Sequence, residues 1–562
     1  MKKYIFLISL LGLPTWLLSQ TSCQVENQKP IELLSAELKR SMKAFKKQNP
    51  PVYYVAYNYY EYENGFIAVQ EQGVGRKGET QNRILQVQAR AGNPRMDNTR
   101  TLKTDRTYYA LYDTELPAID EDGKAFTMAV WRITQSAAED AQQDYNRVRA
   151  DAQTAAARTD KSPDFVFPPK ETFCKEEPAL EFNVEHIEQM LLQASALTKN
   201  QPFILDSDFT FSYITGSRYF VDSVGSRLKV PMRLARLSYQ LASKTADGAV
   251  LKRGNIYNVL QEEQLPSQEK LLADVKQSLE ELKALYQAPE AAPITTPAIL
   301  KNRAMAVFVH EVLGHRVEGH RQKEDTFGKT FTDKIGKQIV SPLLSIVDDA
   351  TLAEFNQIPL RGFYYYDEEG VKARPVTLVE NGILKGFLMS SSPIEGFPVS
   401  NGHGRSEEGK RPVARMGNTR VIASQTIPYE QLEQQLLQEI KRQGKPYGFI
   451  IEDLSGGFTM TETDFPQTFK LTPTLVYRIY PDGRKEIVRG ADIVGTPLVS
   501  FNEIIAAADD YDVFNGSCGA ESGWVPVSGI APSVLLRKLE IERTGKTDTK
   551  PPVLPPPNEE GK

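Results

Sequence analysis

The sequence predicts an α+β protein of two domains: an N-terminal domain of helices and antiparallel sheet, and a C-terminal, mainly antiparallel β domain. Three observations lead there. Runs of β-branched and aromatic residues recur with tight-turn residues beside them, as in Pro51 to Val69. Several segments carry apolar residues at helical spacing, among them 30–47, 183–198 and 267–287. A Pro-rich joint, Pro289 to Pro297, separates the helix-containing half from a half dense in strand signals. The main boundary therefore falls near residue 290, giving domains 24–290 and 291–545.

A length of 562 residues has room for such cores, and 40% hydrophobic and 25% charged residues are ordinary globular values. The net charge of -5 offers no global positive field, so nucleic acid is not an expected partner. A mean hydropathy of -0.40 excludes a polytopic membrane protein. Three cysteines exclude a disulfide scaffold.

Along the chain, Lys2 and Lys3 precede an apolar run from Tyr4 to Leu18, and Ser19 to Cys23 follow. This describes a signal peptide over about residues 1–20 and an exported protein, with a bacterial periplasm as its compartment. An uncleaved anchor and a lipidated Cys23 are the alternatives. Against the lipid stands Gln20, three residues before the cysteine, where a lipidation site usually has Leu. The membrane is a partner only if Cys23 is lipidated.

Residues 30–47 place Ile31, Leu34, Leu38 and Met42 near helical spacing. In 51–69 the dipeptide Asn64-Gly65 predicts a hairpin turn. The Ala-rich stretch 136–161 reads as a solvated surface helix, with a partner-binding helix as its alternative. Phe209 to Ser226 alternates as strand, with turns expected at Gly216 and Gly225. The helix 267–287 carries Leu271, Val275, Leu279, Leu282 and Leu285 on one stripe. Beyond 290, Asn381-Gly382 and Pro481 to Arg484 predict two hairpins. The Pro-rich tail 546–562 predicts disorder.

Three of the five histidines, His310, His315 and His320, fall within eleven residues. Two imidazoles with a carboxylate, Glu311, beside the first are the pattern of zinc hydrolases. There the histidines stand four apart; here they stand five apart, which on a regular helix turns their side chains about 140° from each other. Both reach one ion only if the helix is distorted between Val312 and His315, as a π-bulge would do, and Gly314 lies in that gap. A catalytic zinc takes three protein ligands. The residues leave Cys518, Glu318, His320 and His403 open as the third, Cys518 in a Gly-flanked loop.

Several segments then resemble the TldD/PmbA family of metallopeptidases, in family order from 206 to 541 and most closely its TldD-type catalytic branch. They are RYFVDSVGS (218–226), HEVLGHRVEG (310–319), VDDATL (347–352), YDEEGVKARPVTLVENGILKGFLMS (366–390), NGHGRS (401–406), PVARMGNT (412–419), RGADIVGTP (489–497) and CGAESGWVPVSGIAPSVLLRKLEI (518–541). The resemblance implies that His310, His315 and Cys518 hold zinc on a zinc-binding helix and its neighbouring loop, and that Glu311 is the general base. It also implies a dimer, homomeric or with a PmbA-type subunit, enclosing a chamber that admits unfolded or short peptides.

The expected chemistry is peptide hydrolysis: zinc acidifies a water, and Glu311 carries its proton to the leaving amine. Glu318 is expected to hold a ligand histidine, and His403 or Arg405 to contact substrate. A cysteine hydrolase with Cys518 as nucleophile, and a non-catalytic chamber subunit that binds peptides, are the other readings. The segment 455–470 departs from the family pattern and is expected to line the cleft.

Overall fold

A computed structural model describes residues 23–544 apart from 71–72, 103–113, 116–121, 155–157, 324–328 and 462–467. The expected signal peptide and Pro-rich tail lie outside the described residues. The fold is mixed α+β, with more strand than helix, and is consistent with a two-domain arrangement.

The N-terminal part is an eight-stranded sheet with helices packed on it. Helix α1 (Lys29–Phe45) carries the expected apolar stripe. Strands β1 (Val52–Gln70) and β2 (Gly73–Asn93) form a long antiparallel pair, and β1 also pairs with β3 (Ile204–Asp222). Asn64-Gly65 is therefore mid-strand and not a turn. Gly65 is needed there for another reason: a Cβ would overlap the Tyr213 ring of β3. Gly216 is likewise mid-strand, against the Glu61–Tyr62 backbone, and the turn after β3 falls at Gly225, whose φ is +108°.

Helix α2 (Lys124–Thr154) starts twelve residues before the Ala-rich stretch singled out in the sequence. From residue 136 on it is a mostly exposed surface helix, as expected, with Ala138, Ala141 and Val148 buried; its first turns anchor it, Phe126, Val130 and Ile133 being buried with α1 and the β1–β2 face. The sequence window 136–161 begins after the larger apolar residues, which is why the stripe read as Ala-deep. Helices α3 (Val184–Ser195) and α4 (Gln268–Gln287) cover the other end of the sheet, packed on β3, β4 (Arg227–Lys244) and β5 (Val250–Val259).

From β6 (Ile294–Leu300) onward, two sheets enclose one helix. Helix α5 (Asn302–Val312) is buried on nearly every face, as a helix between two sheets must be. A six-stranded sheet contains β7 (Leu344–Asp349), β8 (Pro375–Glu380), β9 (Ile383–Leu384) and β10 (Asn418–Ala423). Asn381 and Gly382 both have positive φ between β8 and β9, the expected hairpin geometry. Helix α6 (Tyr429–Arg442) covers the outer face of the second sheet. That sheet has seven strands, among them β6, β11 (Gly448–Thr459), β12 (Phe469–Ile479), β13 (Lys485–Val488) and β14 (Ala491–Gly495). The six-stranded sheet is completed by the hairpin β15 (Asp512–Ala520) and β16 (Gly523–Ala531). The seven-stranded sheet takes β17 (Val534–Arg543), and its β11–β12 pairing closes a circuit of strands.

Cys23 and Cys174 form a disulfide, so the Cys23 sulfur cannot also carry a lipid thioether. Cys518 is the free cysteine. Thiol titration of the denatured, unreduced protein should find one thiol per chain, rising to three after reduction. A protein lipidated at Cys23 would give two, before and after.

Candidate metal centre

Helix α5 begins on a borrowed cap. Asn302 is its first residue, and its N–H donates to Ser533 Oγ at 3.1 Å. The helix runs to Val312 and stops; Gly314–Val317 continues as a 3-10 turn. The distortion demanded by the five-residue spacing is present, but as a helix end followed by a tighter turn rather than a π-bulge. Gly314 permits it by close approach, since a Cβ there would overlap Met416 Sδ. Gly319 does the same against Met389 and the Leu388 carbonyl.

The change of path aims both imidazoles at one point. His310 Nε2 lies 3.1 Å and His315 Nε2 3.4 Å from Cys518 Sγ, with the rings at 87° to each other. Cys518 arrives on β15, three residues before the Glu521-Ser522 turn of the β15–β16 hairpin. Zinc bonds of about 2.0–2.1 Å to nitrogen and about 2.3 Å to sulfur set tetrahedral donors about 3.5 Å apart, so this donor set fits zinc in kind and spacing. His310, His315 and Cys518 form a group able to hold a metal ion.

The three side chains are buried, and their charges depend on one another. Burial would raise the Cys518 thiol, but His315, His310 and Arg415 outweigh it and hold it well below its ordinary value. Burial pulls the imidazoles down, and the thiolate reverses this, leaving His310 raised and His315 raised further. Such a thiolate is ready to ligate. Glu311 faces the same cleft. Its carboxyl is pushed up by burial, partly offset by the two histidines, and it has no hydrogen-bond or ion-pair partner among the described residues.

Behind the donors lies a buried charge cluster. Glu318 accepts from Arg321 Nε at 2.8 Å, lies 3.2 Å from His315 Nδ1 and 3.4 Å from Arg415 Nε. Burial alone would raise its carboxyl; His315 and Arg321 pull it down to about 2. Arg415 donates to the Cys518 carbonyl at 2.7 Å, and to Ser522 Oγ and the Gly523 carbonyl across the turn. Arg321 joins Glu318 to Glu521, which also meets His320. Thus Glu318 sits where a residue orienting His315 must sit, and His320 is a partner of Glu521 rather than a third donor.

The sequence-derived residues do not all come together. His403 is fully buried between Asp348 Oδ1 at 3.2 Å and Asn401, and does not line the cleft. Its ring closes a carboxylate site inside the six-stranded sheet, where Asp348 also accepts from Thr419 and Gly417 N. Arg405 donates to the Met416 carbonyl, stacks on Tyr364 and lines a separate cavity of 410 Å³. Arg415 and Glu521 lie in the segments 412–419 and 518–541, where the sequence alone assigns them no role. The only sequence signal for them was a charged residue set among Gly and small residues.

The metal-centre cleft has a volume of 610 Å³ and is walled by Ser455–Thr459 on one side and by Phe514, Ser517–Glu521 and Trp524 on the other. The departing segment 455–470 therefore does line the cleft through Ser455–Thr459 and Thr461.

With this geometry, comparison with known proteins is direct. Residues 293–543 match the PmbA/TldA metallopeptidase C-terminal domain. The chain is 30% identical over 276 residues to a metalloprotease TldD homologue of Haemophilus influenzae, covering 48% of this chain and 52% of that one. Residues 293–543 of the chain belong to the TldD/PmbA family. Over 248 residues it is 27% identical to a zinc metalloprotease TldD homologue of Saccharolobus solfataricus, covering 44% and 51% of the two chains. The match spans about half the length of these family members. The fold is similar to that of TldE from Thermococcus kodakarensis, with a TM-score of 0.59 at 14% identity over 91% of this chain and 100% of that one.

Glu318→Gln should weaken zinc binding about 10- to 100-fold, measured by competition with a chelating dye. Its folded pKa lies below its unfolded one. The stability it adds is therefore complete above about pH 4.5 and is lost as pH falls toward about 2. The variant should show a shallower acid-unfolding profile in that window.

Proposed function

We propose that this chain is an exported zinc-dependent metallopeptidase of the TldD-type branch, hydrolysing peptide bonds in unfolded or small peptides. One observation carries the reading: two imidazole nitrogens and a thiolate converge on a point in the cleft wall, with the Glu311 carboxylate facing the same cleft and otherwise unengaged. His310, His315 and Cys518 would hold the zinc, which when bound supplies Lewis-acid polarisation of the scissile carbonyl and an acidified water. Glu311 takes the proton of the attacking water and hands it to the departing amine. Burial raises its pKa, which favours holding the proton for the return transfer. Glu318 fixes the His315 ring through Nδ1, so that Nε2 is the donor; Arg321 and Arg415 keep Glu318 ionised.

The names of the matched family members, metalloprotease and zinc metalloprotease, support the same chemistry. The TldE-like fold supports a paired assembly, as a homodimer or with a PmbA-type subunit. Export is supported by the Cys23–Cys174 disulfide, which belongs to an oxidising compartment. A cysteine hydrolase accounts for the thiolate beside a histidine but leaves unexplained why two imidazoles, rather than one base, address the sulfur.

The purified mature protein should contain one zinc per chain by elemental mass spectrometry, and Cys518→Ser should lose most of it. Glu311→Gln should keep the zinc and lower peptide-hydrolysis kcat about 10²- to 10⁴-fold. Undiminished hydrolysis in Glu311→Gln would move the reading to Cys518 as nucleophile. Zinc without hydrolysis in the parent would move it to a chamber subunit.

A further inference from the structure

Trp524 is the one described side chain that lines both the metal-centre cleft and the 410 Å³ cavity beside it. It stands on β16 directly across the hairpin from Gly519, the residue after Cys518. Gly519 has no side chain, and the indole lies on its backbone: a Cβ there would be 3.0 Å from two indole carbons. The Trp524 N–H donates to Glu407 Oε2 at 3.2 Å, which further fixes the strand. The ring is thus held one residue from a zinc donor with its outer face open, and Trp524 is 63% exposed. Across the cleft, Phe458 of β11 is 51% exposed, on the segment that departs from the family pattern. Two large rings left open to water in one cleft mark a place where apolar surface is to be covered. The charged side chains of the same cleft other than the histidines and Cys518 are Glu311, Arg321 and Glu521, and the last two are paired with each other. Among the described residues of the cleft, Glu311 is the one charged side chain outside these pairs, and the peptidase reading assigns it to the attacking water rather than to a charged ligand group.

We infer that Trp524, with Phe458 on the facing wall, forms a subsite that selects a large apolar side chain, above all an aromatic one, in the peptide lying across the metal centre. This rests on the peptidase reading and adds a substrate class to it. Trp524 and Phe458 come from different sheets, so a side chain entering between them is gripped from both walls while the backbone passes the donors. Ring-on-ring contact and burial of an aromatic side chain together amount to about tenfold or more in discrimination.

The test uses the zinc-loaded protein and short peptides identical except for one central residue: Phe, Leu, Ala, Lys or Glu. The expected result is a kcat/KM for Phe about tenfold above that for Ala, Lys or Glu, expressed mainly in KM. Trp524→Ala should cut the Phe-to-Ala ratio at least fivefold at unchanged zinc content, and Trp524→Phe should restore most of it. Binding is read separately on zinc-loaded Glu311→Gln by its change in tryptophan fluorescence, with tighter binding of the Phe peptide expected. Equal use of all five peptides, or a preference for Lys or Glu, would overturn the subsite and leave the peptidase reading intact. Phe-selective binding without hydrolysis in the parent would keep the subsite and overturn the peptidase. Neither binding nor hydrolysis would overturn both. A dimer that dissociates on Trp524→Ala, with peptide selectivity unchanged, would assign the ring to a subunit contact and overturn the subsite.

Discussion

The metal centre depends on a buried carboxylate that cannot be left unpaired. Glu318 is fully buried, and a lone charge there would cost several kcal/mol. It is held by Arg321, by Arg415 and by the His315 ring. Each partner belongs to a different piece of chain: the turn after α5, the short helix that follows, and the loop before β10. Arg415 then extends the cluster to the Cys518 carbonyl and the β15–β16 turn. Removing one member would strand another charge, at a cost of about 3–5 kcal/mol. One electrostatic requirement thereby fixes the mutual position of donors 203 residues apart in sequence.

Backbone close approach works alongside that charge cluster. The helix α5 stops where it does because Gly314 lets Met416 press against the chain, and Gly319 lets Met389 and Leu388 do so one turn later. Both methionines come from segments next to the charge cluster, so packing and ion pairing select the same path. The result turns a histidine spacing that a regular helix would splay by about 140° into a pair of converging donors. The helix itself needs little help from polar contacts. Ala306 packs so closely on Gly529 of β16 that a side chain there would crowd it, and Phe308 meets Phe469 and Phe501 edge-on.

The cleft above the centre joins surfaces with different tasks. Its floor is polar and ionic, made by α5 and β15. Its walls carry one exposed ring from the seven-stranded sheet, Phe458, and one from the six-stranded sheet, Trp524, among Ser, Thr and Gly. The N-terminal sheet braces the far side through Arg218, which donates to the Tyr366 and Asp367 carbonyls, and through Asn58, which donates to the Glu368 carbonyl. A substrate in the cleft would lie against α5 and strands of both sheets.

Read alone, the sequence determined the elements whose signal is local. The stripes of α1, α3 and α4 and the Asn381-Gly382 turn are visible because helical period and turn chemistry act over a few residues. His310, Glu311 and His315 were legible for the same reason. Cys518 stood among four candidates by residue chemistry, and only the family resemblance singled it out. What the tertiary structure decided was everything set by residues distant in sequence. Gly65 and Gly216 read as turns because glycine favours them, yet both are mid-strand glycines that make room for a neighbouring strand. His403 read as a cleft residue and is instead the partner of Asp348, a pairing across 55 residues. Arg415, Glu521 and Trp524 acquired roles only when the β15–β16 hairpin met α5. Local propensity is written in neighbours along the chain; charge neutralisation, close approach and the walls of a cleft are written in neighbours in space.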